Sequence, residues 1–590
     1  MPGFVLSIGK KVDFPSINRC HSFIVESMQG DGWCIERRTN RKFLDDKLFF
    51  ENADFLIVTE GCVLNKKELM KRYASAWFYD CVIKMYLLLG ETFFDRFRGP
   101  FSGVLYDKRD NKWLIYTNHI GDKKVFYSCF EGNYYFGSEM GWVVDMVGRD
   151  NLSVDEEGAY FLLTQGCPIE GRTLITEISL LTAGHYLVIE NGELTENEYH
   201  RFDNVPKEMT VEEAVEGIDK LFRKAVKLEY DKDLEYGYKH IGTLSAGLDS
   251  RMNVWVAHQM GYDKQLNFTF AQSGSIDFET AEDIANDLKH DWLFKSLSNG
   301  NCVYDIDSVT KLTYGNVVYF GLSHGKSIVD LINTESFGVF HTGQVGDAII
   351  GTFFPTLAYD ENIKFGYKTV SNVLVDRTKE YQLRQQYKNL ELYLLYVRGF
   401  AMALQGNLSY QEYSEVCSPF CDVDFLEFCY SIPLELRFNH KIYIDWVLAK
   451  YPETANYLWN GKKIEPRTNS VPALDHSANP NRFAERCLKK ARKMVLGNKV
   501  RSHKVVVDVS SKKDPFAMNP VDYWYNTNDD MRLFVDNYYE NRKAIARKHL
   551  SKQMQMDLET LYGTDAVYDK FLVMSLLSAL ELIFGEHPCD

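Results

Sequence analysis

A loop of small residues between an apolar strand and a helix is the feature that most constrains the fold of this chain. Residues 240–251 read HIGTLSAGLDSR, with a predicted strand over 238–244 and a helix from Met252 onward. Small residues at a helix N-terminus let backbone N–H groups approach an anion closely, and the helix dipole adds to the attraction. Ser245 and Ser250 can add hydroxyl donors, so the segment predicts an anion site at the end of a strand.

One acidic residue in this loop narrows the kind of anion. Asp249 would repel a bare phosphate, so its position makes sense when Mg²⁺ lies between its carboxylate and the phosphate oxygens. The SxGxDS pattern of residues 245–250 is typical of the pyrophosphate-binding loop in enzymes that cleave ATP between its α and β phosphates. The loop therefore predicts ATP and Mg²⁺ as cofactors, and the alternative is a chance Ser/Gly turn.

The second half of the chain alternates strands with helices. Predicted strands cover 238–244, 266–270, 291–296 and 336–341, predicted helices cover 251–260 and 278–288, and the remainder is rich in helix. This rhythm predicts a parallel sheet with helices on its faces and a ligand at the carboxyl ends of the strands.

Residues 1 to about 200 have a different pattern and are predicted to be mostly β. Short strands are predicted at 54–59, 101–106, 113–117, 125–129 and 134–136, with one helix over 73–89 and a hairpin around Asn191-Gly192. Residues 203–207 read as a linker, and Thr210 with Glu213 reads as the capping box of a helix that runs to about Glu229. These signals predict two domains, 1–205 and 206–590.

Composition excludes several classes of protein. A formal net charge of −15 argues against nucleic acid as the main partner. The 12 cysteines show no CxxC pair, which predicts reduced thiols and, with no signal peptide evident, a cytoplasmic protein. No uncharged apolar stretch reaches about 18 residues, so no membrane span is expected. The basic stretch 480–504 is interpreted as a solvated helix face or lid, with contact to a polyanion as the alternative.

Blocks in both halves of the chain resemble the asparagine synthetase family. In the second half they are LSAGLDSR at 244–251, and the segments 268–288, 341–351 and 414–433. In the first half, EGCVLNKKEL, RGPFSGVLYD, HIGDKKVFY and YYFGSE follow the family's order. The resemblance implies an N-terminal Ntn-hydrolase-like, β-rich αββα sandwich. It also implies a C-terminal parallel-sheet PP-loop ATP pyrophosphatase domain with a helical C-terminal extension.

The resemblance also implies a nucleotide site in the second domain. The matching positions are Leu244, Ser245, Gly247, Asp249, Ser250, Phe270, Gly346 and Asp347. Of these, Asp249 and Asp347 match the two aspartates that hold Mg²⁺ against the phosphates. Ala246 departs from the usual glycine and adds a methyl group where the backbone must be tight.

Three further residues have expected catalytic roles by the same resemblance. Glu415 is the candidate general base for an ammonium-type nucleophile, and the alternative is a carboxylate that holds the Pro419-Phe420 turn. Lys462 and Lys463 lie at about the spacing of a lysine that stabilises the pentavalent phosphate in related enzymes. Solvated lysines are the alternative for both.

The family's glutaminase site is degenerate in this chain. Pro2 stands where the family has a nucleophilic cysteine, and proline has neither a thiolate nor a primary amine. Glu60 stands where an amide helps to form the oxyanion hole, and a carboxylate would repel the developing charge. Cys62 replaces a glutamate of that motif, and Arg98 replaces an aspartate that would hold the substrate's amino group. The first domain is therefore predicted to be an inactive scaffold, interface or regulator.

The resulting prediction is an AMP-forming amide ligase. It would adenylate a small-molecule or peptide carboxylate and pass it to ammonia or a substrate amine, without hydrolysing glutamine. Gln344 and Cys417 depart from the family near the acyl site, which favours a specialised ligase. An asparagine synthase that uses free ammonia, a tRNA-modifying adenylating enzyme and a non-catalytic scaffold are the alternatives. A homodimer or a partner protein is possible.

Overall fold

The computed structural model describes residues 2–14, 23–353, 369–459, 461–467 and 514–585. The described residues form three sheets, two of six strands and one of five. The basic stretch 480–504 lies outside the described residues, so its interpretation stays a prediction.

The first twelve strands build two antiparallel sheets. They are β1 Gly3–Ile8, β2 Ile24–Gly30, β3 Trp33–Thr39, β4 Phe49–Glu51, β5 Phe55–Gly61, β6 Phe101–Asp107, β7 Lys112–Thr117, β8 Phe126–Phe130, β9 Asn133–Gly137, β10 Ser179–Leu180, β11 His185–Glu190 and β12 Glu193–Glu198. One sheet has the order β10-β8-β9-β1-β3-β2 and the other β12-β11-β7-β6-β5-β4.

The two sheets face each other across an apolar core. Phe4 and Ile35 of one sheet share this core with Leu56 of the other. Alternate residues of β5, such as Ile57, point to the opposite face, where they contact the helices α1 Lys66–Arg72 and α2 Phe78–Leu89. Helix α3 Met140–Val147 covers the outer face of the first sheet. The layers are therefore helix, sheet, sheet and helix, and β5 is apolar on both faces because both are covered.

The helix predicted over residues 73–89 is only partly present. Ala74 has a left-handed φ of 46°, and the chain turns there before α2 begins at Phe78. The apolar spacing holds within α2, which buries Cys81, Val82 and Met85. The hairpin predicted at Asn191-Gly192 is confirmed, and both residues have the positive φ that its tight turn requires.

The third sheet is parallel and has the order β15-β14-β13-β16-β17. Its strands are β13 Lys239–Thr243, β14 Gln265–Ala271, β15 Asp291–Ser296, β16 Phe337–His341 and β17 Val416–Cys417. The strand order reverses between β13 and β16. In a parallel sheet this switch point opens a crevice at the carboxyl ends of the two strands.

Helices connect and cover this sheet. They include α4 Glu156–Gln165, α5 Val211–Tyr236, α6 Leu248–Gln259, α7 Ile276–Leu288, α8 Ile306–Thr313, α9 Phe320–Val329 and α10 Gly346–Ile350. The capping box of Thr210 and Glu213 is confirmed at the start of α5. Helix α5 continues past Glu229 to Tyr236, and the next residue, Gly237, is its C-cap with a φ of 72°.

The rest of the described chain is helical, as expected. Its helices are α11 Leu390–Leu394, α12 Leu408–Gln411, α13 Val423–Ser431, α14 Leu434–Arg437, α15 Lys441–Lys450, α16 Val521–Thr527, α17 Asp529–His549, α18 Lys552–Tyr562 and α19 Val567–Phe584. Helix α19 is apolar on nearly all sides because it is buried, and it shares one core with α4, α8 and α17. None of the described helices is long and apolar enough to cross a membrane.

The predicted domain boundary between residues 205 and 206 falls in residues 201–210, which have neither helix nor strand. Helix α4 precedes this segment, yet it packs with the C-terminal helix α19. The boundary itself stays a prediction.

Candidate functional site

The loop between β13 and α6 is held by its own side chains. The hydroxyls of Ser245 and Ser250 are 2.8 Å apart, and the backbone N–H of Gly247 donates to Ser245 Oγ over 3.1 Å. Gly247 is the N-cap of α6 and offers no side chain to the helix. The first N–H groups of an α-helix have no intrahelical acceptor, so the N-terminus of α6 is available to an anion.

Two carboxylates meet at the switch point of the parallel sheet. The backbone N–H of Asp347 donates to Asp249 Oδ2 over 2.9 Å, and Tyr443 Oη donates to Asp249 Oδ1 over 2.9 Å. Burial, followed by the negative charge of Asp347, raises the pKa of Asp249 well above its usual range. A cation at this point would reverse that effect, because it stabilises the ionised form.

A cavity of about 660 Å³ opens in front of this pair. The loop residues Ser245, Gly247, Asp249, Ser250 and Asp347 line it, together with Leu244 and Phe270. Apolar residues line another part, among them Val317, Leu322, Met402 and Tyr568. The lining of the cavity therefore combines polar loop residues with apolar side chains, and its volume suits a nucleotide or a molecule of similar size.

The polar loop residues of the lining fit a magnesium polyphosphate. Mg²⁺ takes oxygen ligands and uses one or two protein carboxylates beside phosphate oxygens and water, which Asp249 and Asp347 can supply. The N-terminus of α6 can then face the phosphate oxygens. Gly346 is needed for this approach, because a Cβ there would lie 2.7 Å from the carboxyl carbon of Asp249.

Three residues that were not among the predicted site residues support the loops, and two of them, Asp277 and Val345, lie outside the segment 244–251. Asp277 accepts a hydrogen bond from the backbone N–H of Ala246 at 3.1 Å. The buried Arg251 guanidinium donates to the carbonyl of Ala246 over 2.6 Å, which ties down the residue that replaces the usual glycine. Val345 has a φ of 59°, rare for a β-branched residue, and such backbone strain is typical of functional loops.

Arg398 is a further member that sequence reasoning missed. It lies in the π-helical turn Leu395–Phe400 and, among the described lining residues, is the only arginine or lysine. Desolvation lowers the pKa of its guanidinium. Within the part of the chain that the structure describes it pairs with no carboxylate, and its polar contact is with Met402 Sδ at 3.0 Å. Single π-helical turns often occur at functional sites. This turn can be recognised only from the backbone of the folded chain and not from the sequence.

The three predicted catalytic residues do not line the cavity. Lys462 and Lys463 are exposed, and Lys462 forms a backbone bridge with Trp459, which does line it. Glu415 is fully buried, with Lys123 Nζ at 2.8 Å from Oε2 and Lys47 Nζ at 3.2 Å from Oε1. Burial alone would raise the pKa of Glu415, but the two lysines outweigh it and lower this pKa. The geometry thus favours an ion-pair role over the expected general base, since a base must reach its substrate.

The four positions predicted to form a degenerate glutaminase site are buried or, at Arg98, half-buried. Pro2 is buried just before β1. Glu60 accepts a hydrogen bond from Thr39 Oγ1 over 2.9 Å, and burial raises its pKa to about 7. Burial raises the pKa of the Cys62 thiol well above its usual range, so this thiol is a poor nucleophile. Arg98 pairs with Asp424 of α13 at 3.1 Å.

Sequence comparison relates part of the chain to known proteins. The profile of a glutamine amidotransferase domain matches residues 46–200. Asparagine synthetase [glutamine-hydrolyzing] 1 of Bacillus subtilis is 21% identical over 260 residues, which are 42% of this chain and 40% of the relative. Asparagine synthetase B of Escherichia coli is 23% identical over 265 residues, 41% of each chain. The chain thus spans about two fifths of the length of these relatives.

Solved structures match only distantly. A glutamine phosphoribosylpyrophosphate amidotransferase from Bacillus subtilis is 10% identical with a TM-score of 0.21, covering 39% of this chain and 50% of the other. An NMN synthetase from Francisella tularensis is 13% identical with a TM-score of 0.18, covering 38% and 94%. At these scores the likeness carries no argument. The amidotransferase profile and the curated relatives show that parts of this chain are similar to proteins of the asparagine synthetase family.

Proposed function

We propose that this chain is an ATP-dependent, AMP-forming amide ligase with a PP-loop domain. The observation that carries the proposal is the meeting of Asp249 and Asp347 at the switch point of a parallel sheet, at the mouth of a 660 Å³ cavity. ATP and Mg²⁺ are the cofactors that this arrangement would take.

The reaction has two steps. A substrate carboxylate oxygen attacks the α-phosphorus of ATP and forms a new P–O bond. The bond between the α-phosphorus and the oxygen that bridges it to the β-phosphorus breaks, and pyrophosphate leaves. An amine nitrogen then attacks the acyl carbon, AMP leaves with its oxygen, and the nitrogen loses a proton to give the amide. Ser245, Ser250 and the N-terminus of α6 would hold the pyrophosphate, while Mg²⁺ on Asp249 and Asp347 would offset its charge.

Arg398 supplies a reason to place the acid beside its guanidinium in the lining of the cavity. Among the residues that the structure describes, the half-buried guanidinium of Arg398 has no carboxylate partner, and an anionic substrate would supply one. The neighbouring side chains of Met402 and Tyr568 offer apolar contact to the rest of that substrate. We therefore expect the acid to bind with an anionic group on Arg398.

Glutamine hydrolysis is not part of the proposal. The thiolate nucleophile is replaced by Pro2, and Arg98 is engaged with Asp424 across to α13. The nitrogen donor would be free ammonia, ammonia from a partner protein, or an amine of a larger substrate. The neutral Gln344, which lines the cavity in place of a family glutamate, supports an acceptor other than that of an asparagine synthetase.

ATP–pyrophosphate exchange with a panel of carboxylic acids tests the proposal. Exchange is expected with at least one acid, and Asp249→Asn or Asp347→Asn should reduce it by roughly 100-fold or more. Asp263→Asn, an exposed residue outside the cavity, is the matched control and should exchange normally. Exchange with aspartate as the only acid, together with amide formation when ammonia is added, would indicate an asparagine synthase. No exchange with any acid would favour the scaffold and overturn the proposal.

A further inference from the structure

Three potential metal ligands converge in the N-terminal half, away from the cavity. Asp95 lies in the 3₁₀ turn Gly90–Arg96, His119 follows β7, and His200 follows β12. Asp95 Oδ1 is 3.3 Å from His119 Nε2 and 3.6 Å from His200 Nδ1. One ligand atom from each residue lies within 4.8 Å of both others.

These separations are at or beyond the long end of hydrogen bonding, and they also fit a metal site. Zinc bonds of 2.0–2.1 Å in a tetrahedron place the ligand atoms about 3.4 Å apart. A second group, Asp233 with His240 and His341, provides a contrast within the same protein. There both histidine nitrogens lie 2.8 Å from Asp233 Oδ2, which is hydrogen-bond distance and leaves no room for an ion.

The surroundings of the first group also suit a cation. The other ring nitrogen of His200, Nε2, lies 3.6 Å from Glu427 Oε1 on α13. A carboxylate behind a ligating histidine is the usual outer partner in zinc sites, because it orients the ring. The nearby Arg98 and Lys224 both pair with Asp424, so Asp95 and Glu427 remain to balance a dication.

An ion has a route to this group. The side chain of Asp95 is 32% exposed and that of His200 is 12% exposed, whereas Asp233 and His341 are completely buried. The main-chain oxygen of Asp95 lies 3.2 Å from His119 Nε2, but it already accepts a hydrogen bond from Arg98. Within the described residues no fourth histidine, cysteine or carboxylate joins the group, so water would complete the coordination.

We propose that Asp95, His119 and His200 form a binding site for a divalent transition metal, with Zn²⁺ as the best match to the donor set. The site would join three loops of the N-terminal half and, through Glu427, connect them to α13. Its role would be to hold these segments together, and it is independent of the proposed ligase activity.

Cobalt substitution tests the site, because tetrahedral Co²⁺ bound to histidine and carboxylate absorbs visible light. The full-length protein is stripped with a chelator and titrated with Co²⁺, and metal content is measured after equilibration with Zn²⁺. We expect one Co²⁺ per chain with tetrahedral absorption bands, displaced by Zn²⁺, and an increase in Tm on zinc binding.

Variants assign the binding to these residues. Asp95→Asn and His200→Gln should remove the bands, and Glu427→Gln should weaken affinity roughly 10- to 100-fold. His185→Gln, on β11 outside the group, is the control and should bind normally. If His200→Gln fails to fold, the more exposed Asp95→Asn still decides the matter. No stoichiometric binding, or binding that Asp95→Asn leaves unchanged, would overturn the site, whatever the exchange activity.

Discussion

The backbone N–H of Asp347 donates a hydrogen bond to Oδ2 of Asp249 over 2.9 Å, joining the loops that follow two adjacent parallel strands. The two residues are 98 positions apart in the chain. Their carboxylates are the only two acidic groups among the described residues that line the cavity. This contact is the geometric basis for the predictions about magnesium.

Magnesium affinity should rise with pH. Burial and the nearby charge of Asp347 raise the pKa of Asp249, so protons compete with Mg²⁺ for this carboxylate. The magnesium concentration that gives half-maximal exchange should therefore fall as the pH is increased toward and above the raised pKa of Asp249. A concentration that stays constant over this range would contradict the competition.

Replacement of Asp347 isolates the electrostatic part of that effect. Asp347→Asn removes one negative charge beside Asp249. The competing proton should therefore bind less tightly to the carboxylate of Asp249. Any residual magnesium dependence in this variant should vary less with pH than in the unmodified protein. A steeper variation would show that another group controls the titration.

The variant Glu415→Gln should unfold more easily and still exchange pyrophosphate. The change leaves the buried ammonium groups of Lys123 and Lys47 without their counterion. Removing one partner of a buried ion pair costs about 3–5 kcal/mol of unfolding free energy. Denaturant titration measures that loss, and exchange per folded molecule should stay near the original rate. If stability were unchanged while amide formation alone were lost, Glu415 would be the general base after all.

Arg398→Gln should weaken binding of the acid and spare that of ATP. Loss of a buried, charge-assisted contact should raise KM for the acid roughly 10- to 100-fold, because such contacts are worth about 1.5–3 kcal/mol. Arg398→Lys keeps the charge, so its KM for the acid should lie between that of the unmodified protein and that of Arg398→Gln. The measurement is KM for each substrate in the exchange reaction, and an equal increase for ATP would place Arg398 on the nucleotide instead.

Folding stability should fall as pH rises through the alkaline range. Burial alone would lower the pKa of His341, but Asp233 and Glu229 outweigh it and raise this pKa to about 9. A group whose pKa is higher in the folded state contributes stability below its unfolded value of about 6.5, and that stability is lost toward pH 9.

The size of this effect can be measured by comparison with His341→Gln. The unfolding free energy of the unmodified protein should drop by roughly 1–3 kcal/mol more than that of the variant between about pH 6.5 and 9. Lys42 and Lys124 have pKa values lowered to about 8 by burial and act in the opposite direction, but they do so in both proteins. If the unfolding free energies of the two proteins changed in parallel with pH, His341 would not be the source of the loss of stability.

Local patterns were enough to predict most strands of the described chain. The strand predicted at 291–296 is β15, and the strand predicted at 266–270 lies within β14. Helix α6 begins at Leu248, four residues before the expected Met252, because Gly247 already serves as its N-cap. The long helix over 73–89 was wrong at its start, since the left-handed turn at Ala74 has no clear signature in a non-glycine residue.

The candidate site was predictable where one segment supplies it. Ser245, Gly247, Asp249 and Ser250 lie within six residues, and local geometry brings them to one helix N-terminus. The resemblance predicted that Glu415 is the general base. Its role in the structure instead depends on Lys123, which is 292 residues away in the chain. Burial between two ammonium groups is a property of the assembled core, and no spacing along the chain reveals it.

By itself, the amino-acid sequence determined the alternation of strands and helices, the small-residue loop and the presence of Pro2 at the position predicted for a glutaminase nucleophile. These features depend on neighbouring residues and on the chemistry of single side chains. Only the tertiary structure decided that Tyr443 holds Asp249, that Arg398 enters the cavity and that Asp95, His119 and His200 converge. Such contacts join segments distant in the chain, and their distances follow from how sheets and helices pack.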